Sequence, residues 1–208
     1  MELYLKQIMQ EKDRFLKKLI NLTILTVLSV VIFFTKNLAA DNLGSKIDKY
    51  VGNLNYFSSK FIQTNGSLLE EGRIYIKNNK IRLDYFLPNR SLILSKNKGV
   101  YINHELKEEE FFSTQKNIVG IFYNIFLDEN YFSKLVPKKK NEEVVFENTI
   151  TIDSNSTNLK IFFEHRPILL RKIIAESENE IISISFNEHN YNSVLDDSFF
   201  SFVPIYLD

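Results

Sequence analysis

The sequence contains no cysteine and little glycine or proline, and its charges balance. The absence of cysteine excludes disulfides, thiolate metal sites and a cysteine nucleophile. With six glycines and four prolines among 208 residues, neither a glycine-rich phosphate loop nor a low-complexity chain is expected. The 26 basic residues equal the 26 acidic ones in number. The chain therefore lacks the basic excess typical of nucleic-acid binding, and nucleic acid is not a predicted partner.

Apolar residues, in contrast, are plentiful and make up 44% of the chain, with 18 phenylalanines among them. This content is too high for a disordered chain and indicates a folded core. The part after residue 40 is long enough for one such core. It shows no internal repeat and no linker, so we predict a single domain over residues 41–208.

Residues 1–40 have the pattern of an export signal. They hold six basic and three acidic residues, and an apolar run of 16 residues, Leu19–Phe34, follows most of the basic ones. The segment ends in Leu38-Ala39-Ala40, whose two alanines are small residues suited to a cleavage site, although Leu38 is bulky for its place. The run is shorter than the ~20 residues of a membrane-spanning helix. We predict a cleavable signal peptide over residues 1–40, with an uncleaved anchor as the alternative.

The domain is predicted to open with a helix, because apolar residues from Leu43 to Leu54 recur at helical spacing. Asp41 and Asn42 are placed to cap its start. From Ile74 the apolar period changes to two, which is typical of strands with one buried face and one wet face. The apolar members of three such strands are Ile74, Ile76, Ile81, Leu83, Tyr85, Leu92 and Leu94.

Short turn sequences separate these strands, among them Asn78-Asn79 and Pro88-Asn89. Strands joined by such short links must run antiparallel. A second helix is predicted over Ser113–Phe126, after a solvated turn at Glu108-Glu109-Glu110. Further strands are predicted around Phe146–Ile152, Leu159–Phe163 and Ile182–Phe186, with an edge strand at Phe199–Val203.

Two helices are a modest cover for so wide an apolar sheet face. The predicted fold is therefore mainly β with α: an unclosed antiparallel β-barrel, or half-barrel, covered by a helical lid. Such an arrangement leaves room for an apolar cavity between sheet and lid.

Several short motifs occur in a family-specific order. Phe61-Ile62-Gln63 precedes Gly72-Arg73-Ile74-Tyr75-Ile76, then Lys80–Tyr85, and Leu195–Phe202 is the last motif of the set. This set resembles the LolA family of periplasmic outer-membrane lipoprotein carriers, over most of residues 41–208. The resemblance implies a periplasmic, monomeric carrier that is not an enzyme and needs no metal or cofactor. It implies acyl chains of lipoproteins as cargo, loading from a LolCDE-type inner-membrane ABC transporter, and delivery to the outer membrane through a LolB-type receptor where one exists.

The resemblance and the alternation together give a predicted lipid-binding set on the strands and the second helix. In the family, an Arg-Pro pair occurs in the turn before the Lys80–Tyr85 motif, and its arginine helps to hold the lid closed. This chain has Lys77-Asn78-Asn79 there, so we do not assign that role to any of its residues. The predicted lipid-binding residues are Phe61, Ile74, Ile76, Leu83, Tyr85, Leu92, Leu94, Phe122, Phe126, Phe163, Ile184 and Phe186.

Two other functions remain open at this point. The first is a lipid- or peptide-sensing module of the cell envelope with a similar fold, of the RseB type. The second is a hydrolase using Asp196, Asp197 or a histidine, although no spacing supports it, and capping of the following turn is the simpler role for both aspartates. No histidine occurs in a metal-binding pattern, and no catalytic residue is predicted.

Overall fold

The structure is a computed structural model that describes residues 43–114, 118–152, 155–178 and 180–202. The signal peptide predicted over residues 1–40, the cap at Asp41 and Asn42, and Val203 of the predicted edge strand lie outside these residues. The division into residues 1–40 and 41–208 stays a prediction. Among the described residues, neither helix is long and apolar enough to cross a bilayer.

Two helices and eleven strands occur in the described part of the chain. Helix α1 comprises residues 43–52, and helix α2 comprises Ile118–Leu127. The strands are β1 Phe57–Thr64, β2 Leu69–Lys77, β3 Lys80–Tyr85, β4 Arg90–Leu94, β5 Lys98–Asn103, β6 Glu108–Ser113, β7 Lys138–Lys140, β8 Glu143–Ile152, β9 Asn155–His165, β10 Ile168–Glu176 and β11 Ile181–Asn190.

The strands form one sheet in the order β6-β5-β4-β3-β2-β1-β11-β10-β9-β8-β7, and every neighbouring pair is antiparallel. The unclosed antiparallel sheet with helices is the predicted fold, which is thereby confirmed. Because β1–β6 are consecutive neighbours, the loops 65–68, 86–89 and 104–107 lie at one end of the sheet, here called the loop end. A backbone hydrogen bond of 3.1 Å from His104 N to Asn89 O joins two of them.

The inner face of the sheet packs on α1 and α2. It is formed by apolar residues that alternate strictly with polar ones along the strands. In β2 and β3, Ile74 lies opposite Leu83, and Ile76 lies opposite Ile81. All four are buried in the main core. Alternation of this kind predicts the face correctly because each strand turns every second side chain to the same side.

A glycine in β2 leaves room for an aromatic ring in this core. Gly72 lies opposite both Phe61 and Tyr85, and a Cβ at position 72 would lie 2.5 Å from Phe61 Cζ. The ring of Phe61 instead packs edge-on against Tyr85, with centroids 5.1 Å apart. The glycine of the family-like motif is thus explained by a close approach that a side chain would prevent.

The second helix and the acidic segment before it differ from prediction. Residues Glu108–Ser113 form strand β6 rather than a solvated turn and the start of a helix, and the helix described in this region, α2, comprises Ile118–Leu127. Five of the six β6 residues are exposed, because β6 is at the edge of the sheet. Consecutive glutamates obscured this strand, since an exposed edge needs no apolar alternation.

Strand β10 was not predicted from the sequence. A β-bulge between Leu170 and Lys172 shifts its register against β9, so its apolar residues do not alternate across the whole strand. After the bulge, Ile173 and Ala175 are buried. A single extra residue therefore hid the period of two on which the prediction relied.

The outer face of the sheet is not uniformly wet, contrary to prediction. Ile93, Val100 and Ile102 on β4 and β5 are fully or almost fully buried there, with Phe202 packed on them. The segment Leu195–Phe202 covers this face. Its residues Ser198–Phe200 form a 3-10 helix, so the predicted edge strand at Phe199–Val203 is wrong. This short helix buries Phe200, whereas an edge strand would have left part of the segment exposed.

Helix α1 is tied to the segment that follows α2. Its buried Asp48 accepts hydrogen bonds from the backbone N of Phe132 and of Ser133, both at 2.8 Å. The ring of Phe132 lies 5.0 Å from that of Phe146 and 5.1 Å from that of Phe163. The segment that follows α2 is therefore fixed to α1 and the core by polar and aromatic contacts together.

Candidate functional site: an apolar cavity beneath helix α2

A cavity of about 160 Å³ lies between helix α2 and the inner face of the sheet. Its walls come from β3 and β4 on one side, β9–β11 on the other and α2 above. Nearly all the lining side chains are apolar. They are Gln63, Leu83, Tyr85, Leu92, Leu94, Val119, Ile121, Phe122, Ile125, Leu159, Ile173, Ala175, Ile182 and Ile184.

The structure places half of the predicted lipid-binding set around this cavity. These residues come from three strands and the lid helix, so the fold brings them together from distant parts of the sequence. The predicted residues that line the cavity are Leu83, Tyr85, Leu92, Leu94, Phe122 and Ile184.

The other predicted residues lie elsewhere in the core. Ile76 and Phe126 line a second cavity of about 310 Å³, between the end of α1, the Asn78-Asn79 turn and the end of α2. Asn55, Asn78, Asn79 and the acidic residues at the end of α2 make the lining of this second cavity more polar than that of the first. The remaining four predicted residues are buried in the main core and do not line the first cavity: Phe61, Ile74, Phe163 and Phe186.

Several lining residues were not included in the predicted site. Ile121 and Ile125 lie in the predicted second helix, and Leu159 and Ile182 lie in predicted strands, so the sequence did contain a signal for them. Ile173 and Ala175 follow the β10 bulge, which hid their face. The remaining two lining residues outside the predicted set are Gln63 and Val119.

The inner face becomes polar at the loop end, where a hydrogen-bonded cluster borders the cavity. Tyr85 donates its hydroxyl to Gln63 Oε1 at 3.1 Å, and Gln63 donates its amide to Glu70 at 3.4 Å. Arg90 pairs with Glu70 at 2.5 Å, and its guanidinium lies 4.4 Å from the centroid of the Tyr85 ring. Burial raises the pKa of Tyr85 to about 12, so its hydroxyl remains a donor at neutral pH. We call these four residues the mouth cluster.

The lid helix rests on the cavity mainly through apolar side chains. Phe122 and Phe126 lie along one side of α2 with ring centroids 6.0 Å apart, and Phe126 meets Phe186 edge-on at 6.3 Å. At the opposite end of the sheet from the mouth cluster, Tyr123 donates to the backbone O of Asn79 at 3.4 Å. Apart from the Tyr123 hydrogen bond, these side-chain contacts of α2 are apolar, so packing contributes most of what they provide.

The two aspartates considered for chemistry, Asp196 and Asp197, have structural partners. Asp196 accepts hydrogen bonds from Ser198 N at 2.9 Å and Ser198 Oγ at 3.0 Å, which is the predicted capping role. These hydrogen bonds hold the pKa of Asp196 below its usual range. Lys77 donates to Leu195 O at 2.7 Å and pairs with Asp197 at 2.9 Å, so its ammonium faces the C-terminal segment. No group of acidic and histidine side chains suited to a metal occurs in the described part of the chain.

Comparison with known families gives one match that covers most of the chain. The family model described as "Outer membrane lipoprotein carrier protein LolA" matches residues 52–203. That range includes every strand, α2 and the whole C-terminal segment Leu195–Phe202. A search of curated proteins gives no match.

Solved structures with a similar fold share little sequence with this chain. An uncharacterized conserved protein from Thermus thermophilus has a TM-score of 0.50 at 8% identity, covering 77% of this chain and 94% of that one. The MucA/MucB complex of Pseudomonas aeruginosa gives a TM-score of 0.42 at 11% identity, covering 75% and 60% of the two chains. The similarity to the Thermus thermophilus protein supports the fold assignment and nothing further.

Proposed function

Because the chain belongs to the LolA family of outer membrane lipoprotein carrier proteins, we propose that it binds the acyl chains of lipoproteins and carries them across the periplasm. The observation that carries this proposal is the apolar cavity between α2 and the sheet. The proposed carrier domain is residues 41–208, exported by a cleaved signal peptide at residues 1–40. Loading from a LolCDE-type transporter and delivery to a LolB-type receptor or directly to the outer membrane complete the proposal.

The energetics of acyl chains explain why a carrier needs such a cavity. Each CH₂ group costs about 0.8 kcal/mol to expose to water. A chain of about 16 carbons therefore costs on the order of 12 kcal/mol if it crosses an aqueous space unprotected. An apolar cavity offsets this cost, and the cargo is released when a more favourable apolar environment is offered.

The size of the cavity implies that the lid moves during loading. Its volume of about 160 Å³ is below the roughly 300–1,000 Å³ of pockets that bury drug-sized ligands. An acyl chain therefore requires α2 to move away from the sheet. The apolar contacts of Phe122 and Ile125 would then be exchanged for contacts with the chain, so part of their burial is recovered on loading.

Apolar side chains at the loop end support transfer to and from a partner there. Leu68 in the first loop, Leu69 beside it and Leu87 in the second loop are 62%, 67% and 79% exposed. Gln63 and Tyr85 of the cavity wall lie near the same end. Exposed apolar side chains grouped on a protein surface commonly mark sites of protein or membrane contact. We assign the loop end as the side at which cargo is exchanged.

Filling the cavity provides a direct test. Ala175 lines the cavity, so Ala175→Phe should occupy the space and reduce binding of an acylated peptide, measured by fluorescence, by at least about tenfold. Ile174→Phe is the matched control, because Ile174 is on the opposite face of the same strand and partly exposed. Equal binding by both variants, with both folded by circular dichroism, would refute the cavity as the acyl site.

A second assay separates a carrier from a sensing module. Purified protein added to spheroplasts should release lipoproteins into the supernatant, detected by immunoblot, and Ala175→Phe should release fewer. A sensing module would bind acylated peptide but would extract nothing. Binding without release would therefore favour the RseB-type alternative over the carrier.

A further inference from the structure

Beneath the lid, the inner face of the sheet changes character at a defined position. On β1 to β4, the residues nearest the loop end on this face are Gln63 opposite Glu70 and Tyr85 opposite Arg90. One step further from the loop end, Leu83 lies opposite Leu92. An acyl chain in the cavity would therefore lie against apolar side chains, and its polar head would meet the mouth cluster.

The mouth cluster contains N–H groups that donate no hydrogen bond within the described residues. Gln63 uses one amide hydrogen for Glu70, and a carboxamide carries two. Arg90 Nε is buried and donates to no acceptor among the described residues. A buried guanidinium N–H without an acceptor is costly, so an incoming carbonyl oxygen that accepts from it would be favoured.

The charge of the mouth cluster is already balanced. Arg90 pairs with Glu70 at 2.5 Å, and their side chains are only 23% and 16% exposed. Tyr85 adds no charge at neutral pH, since a phenol is protonated there and burial raises the pKa of Tyr85 further, to about 12. An added carboxylate or phosphate would meet the negative charge of Glu70 and would be partly desolvated without a cation of its own.

We infer that Gln63, Glu70, Tyr85 and Arg90 select acyl chains whose head is a neutral ester or amide and disfavour free fatty acids. This inference rests on the proposed function and specifies its substrate class. Neutral carbonyl heads are those of chains covalently linked to a lipidated protein, whereas free fatty acids end in an anion. The mouth cluster thereby prevents loose fatty acids from occupying the carrier.

The test compares two ligands that have the same acyl chain but different polar head groups. Displacement of the apolar dye N-phenylnaphthylamine from the full chain is measured at pH 8 with laurate and with N-lauroylglycinamide, both below micellar concentrations. The amide should bind about tenfold more tightly than laurate, the ratio expected where one anion lacks a partner. Glu70→Gln leaves the charge of Arg90 unbalanced, so it should raise laurate binding and abolish or reverse the preference.

Glu71→Gln is the matched control, because Glu71 is adjacent but on the opposite face, paired with Lys60 at 3.2 Å. It should leave the preference unchanged. Gln63→Leu, which keeps the cluster's charge, should weaken amide binding about three- to tenfold. Equal binding of the two ligands to the unmodified protein, or equal effects of the two glutamate variants, would overturn the selectivity alone. Failure of both ligands to displace the dye would overturn the proposed function with it.

Discussion

Arg82 holds the C-terminal segment on the outer face of the sheet through Phe199. Its Nη1 donates to Phe199 O at 2.6 Å, and its guanidinium lies 4.1 Å from the centroid of the Phe199 ring. The same side chain donates to Asp84 Oδ1 at 2.7 Å and to Ser91 Oγ at 3.2 Å. One planar group thus joins two strands to the segment that covers them.

Arg82→Lys should therefore destabilise the fold by about 1–3 kcal/mol, because a lysine ammonium cannot reproduce three fixed donor directions and the stacking on Phe199. Urea unfolding measures the change. Arg171→Lys is the control, because Arg171 pairs with Glu164 at the surface and exposed pairs contribute less than about 1 kcal/mol. Similar small losses in both variants would show that Arg82 does not hold the segment.

Gly72 is predicted to tolerate no side chain. A Cβ there would lie 2.2 Å from Asp84 O and 2.5 Å from Phe61 Cζ, so both the backbone of β3 and the ring must shift. Gly72→Ala should cost about 1–3 kcal/mol of unfolding free energy. Gly52→Ala, with nothing within 4 Å of the added Cβ, should instead stabilise α1 by up to about 1 kcal/mol. Thermal unfolding of the two variants should shift in opposite directions, and a shift in the same direction would contradict this account.

Asp48 joins α1 to the segment that follows the lid helix through two hydrogen bonds. Asp48→Ala leaves the backbone N–H groups of Phe132 and Ser133 without their acceptor, which should cost about 1.5–3 kcal/mol. Asp48→Asn keeps one carbonyl oxygen in place and should lose about half as much. The two variants are compared by urea unfolding. Equal losses in both would mean that the charge, rather than the number of acceptors, sets the contribution.

The inner face of the sheet was predictable where alternation was unbroken. Residues from Ile74 to Leu94 alternate and are separated by turn sequences, so both their strands and their buried face followed from a period of two. Strand β10 did not, because its bulge at Leu170–Lys172 changes the parity. Strand β6 did not either, because an exposed edge rich in glutamate carries no apolar period. Ile93 and Val100 are buried on the outer face by Phe202, which is about 100 residues away in the sequence. The local apolar period cannot predict such a distant contact.

The cavity residues were only partly predictable for a related reason. Alternation identifies which residues face inward, but not which of them touch each other and which border empty space. Phe61 and Leu83 are both inward, yet Phe61 fills the space above Gly72 whereas Leu83 borders the cavity. That distinction is set by the curvature of the sheet and the position of α2. Both depend on contacts between strands far apart in the sequence.

His189 is predicted to make stability fall as the pH is lowered from neutrality. Burial lowers its pKa, although the hydrogen bond with Leu170 O, 2.9 Å long, opposes this. Arg171 lowers the pKa further, and Glu164 raises it. Because the folded-state pKa is below the unfolded value of about 6.5, protons bind the unfolded chain preferentially. The contribution is fully present above pH ~6.5 and is lost as the pH falls through the folded pKa.

The measurement is the free energy of unfolding in urea between pH 7.5 and about 5.5, above the range in which carboxylates titrate. His189→Gln keeps a donor for Leu170 O but does not titrate, so its stability should decline less than that of the unmodified protein. His165, whose pKa is also lowered chiefly by burial, contributes equally to both curves and cancels in their difference. Parallel curves would show that His189 is not the group that titrates, because a lowered pKa at position 189 must steepen the unmodified protein's curve alone.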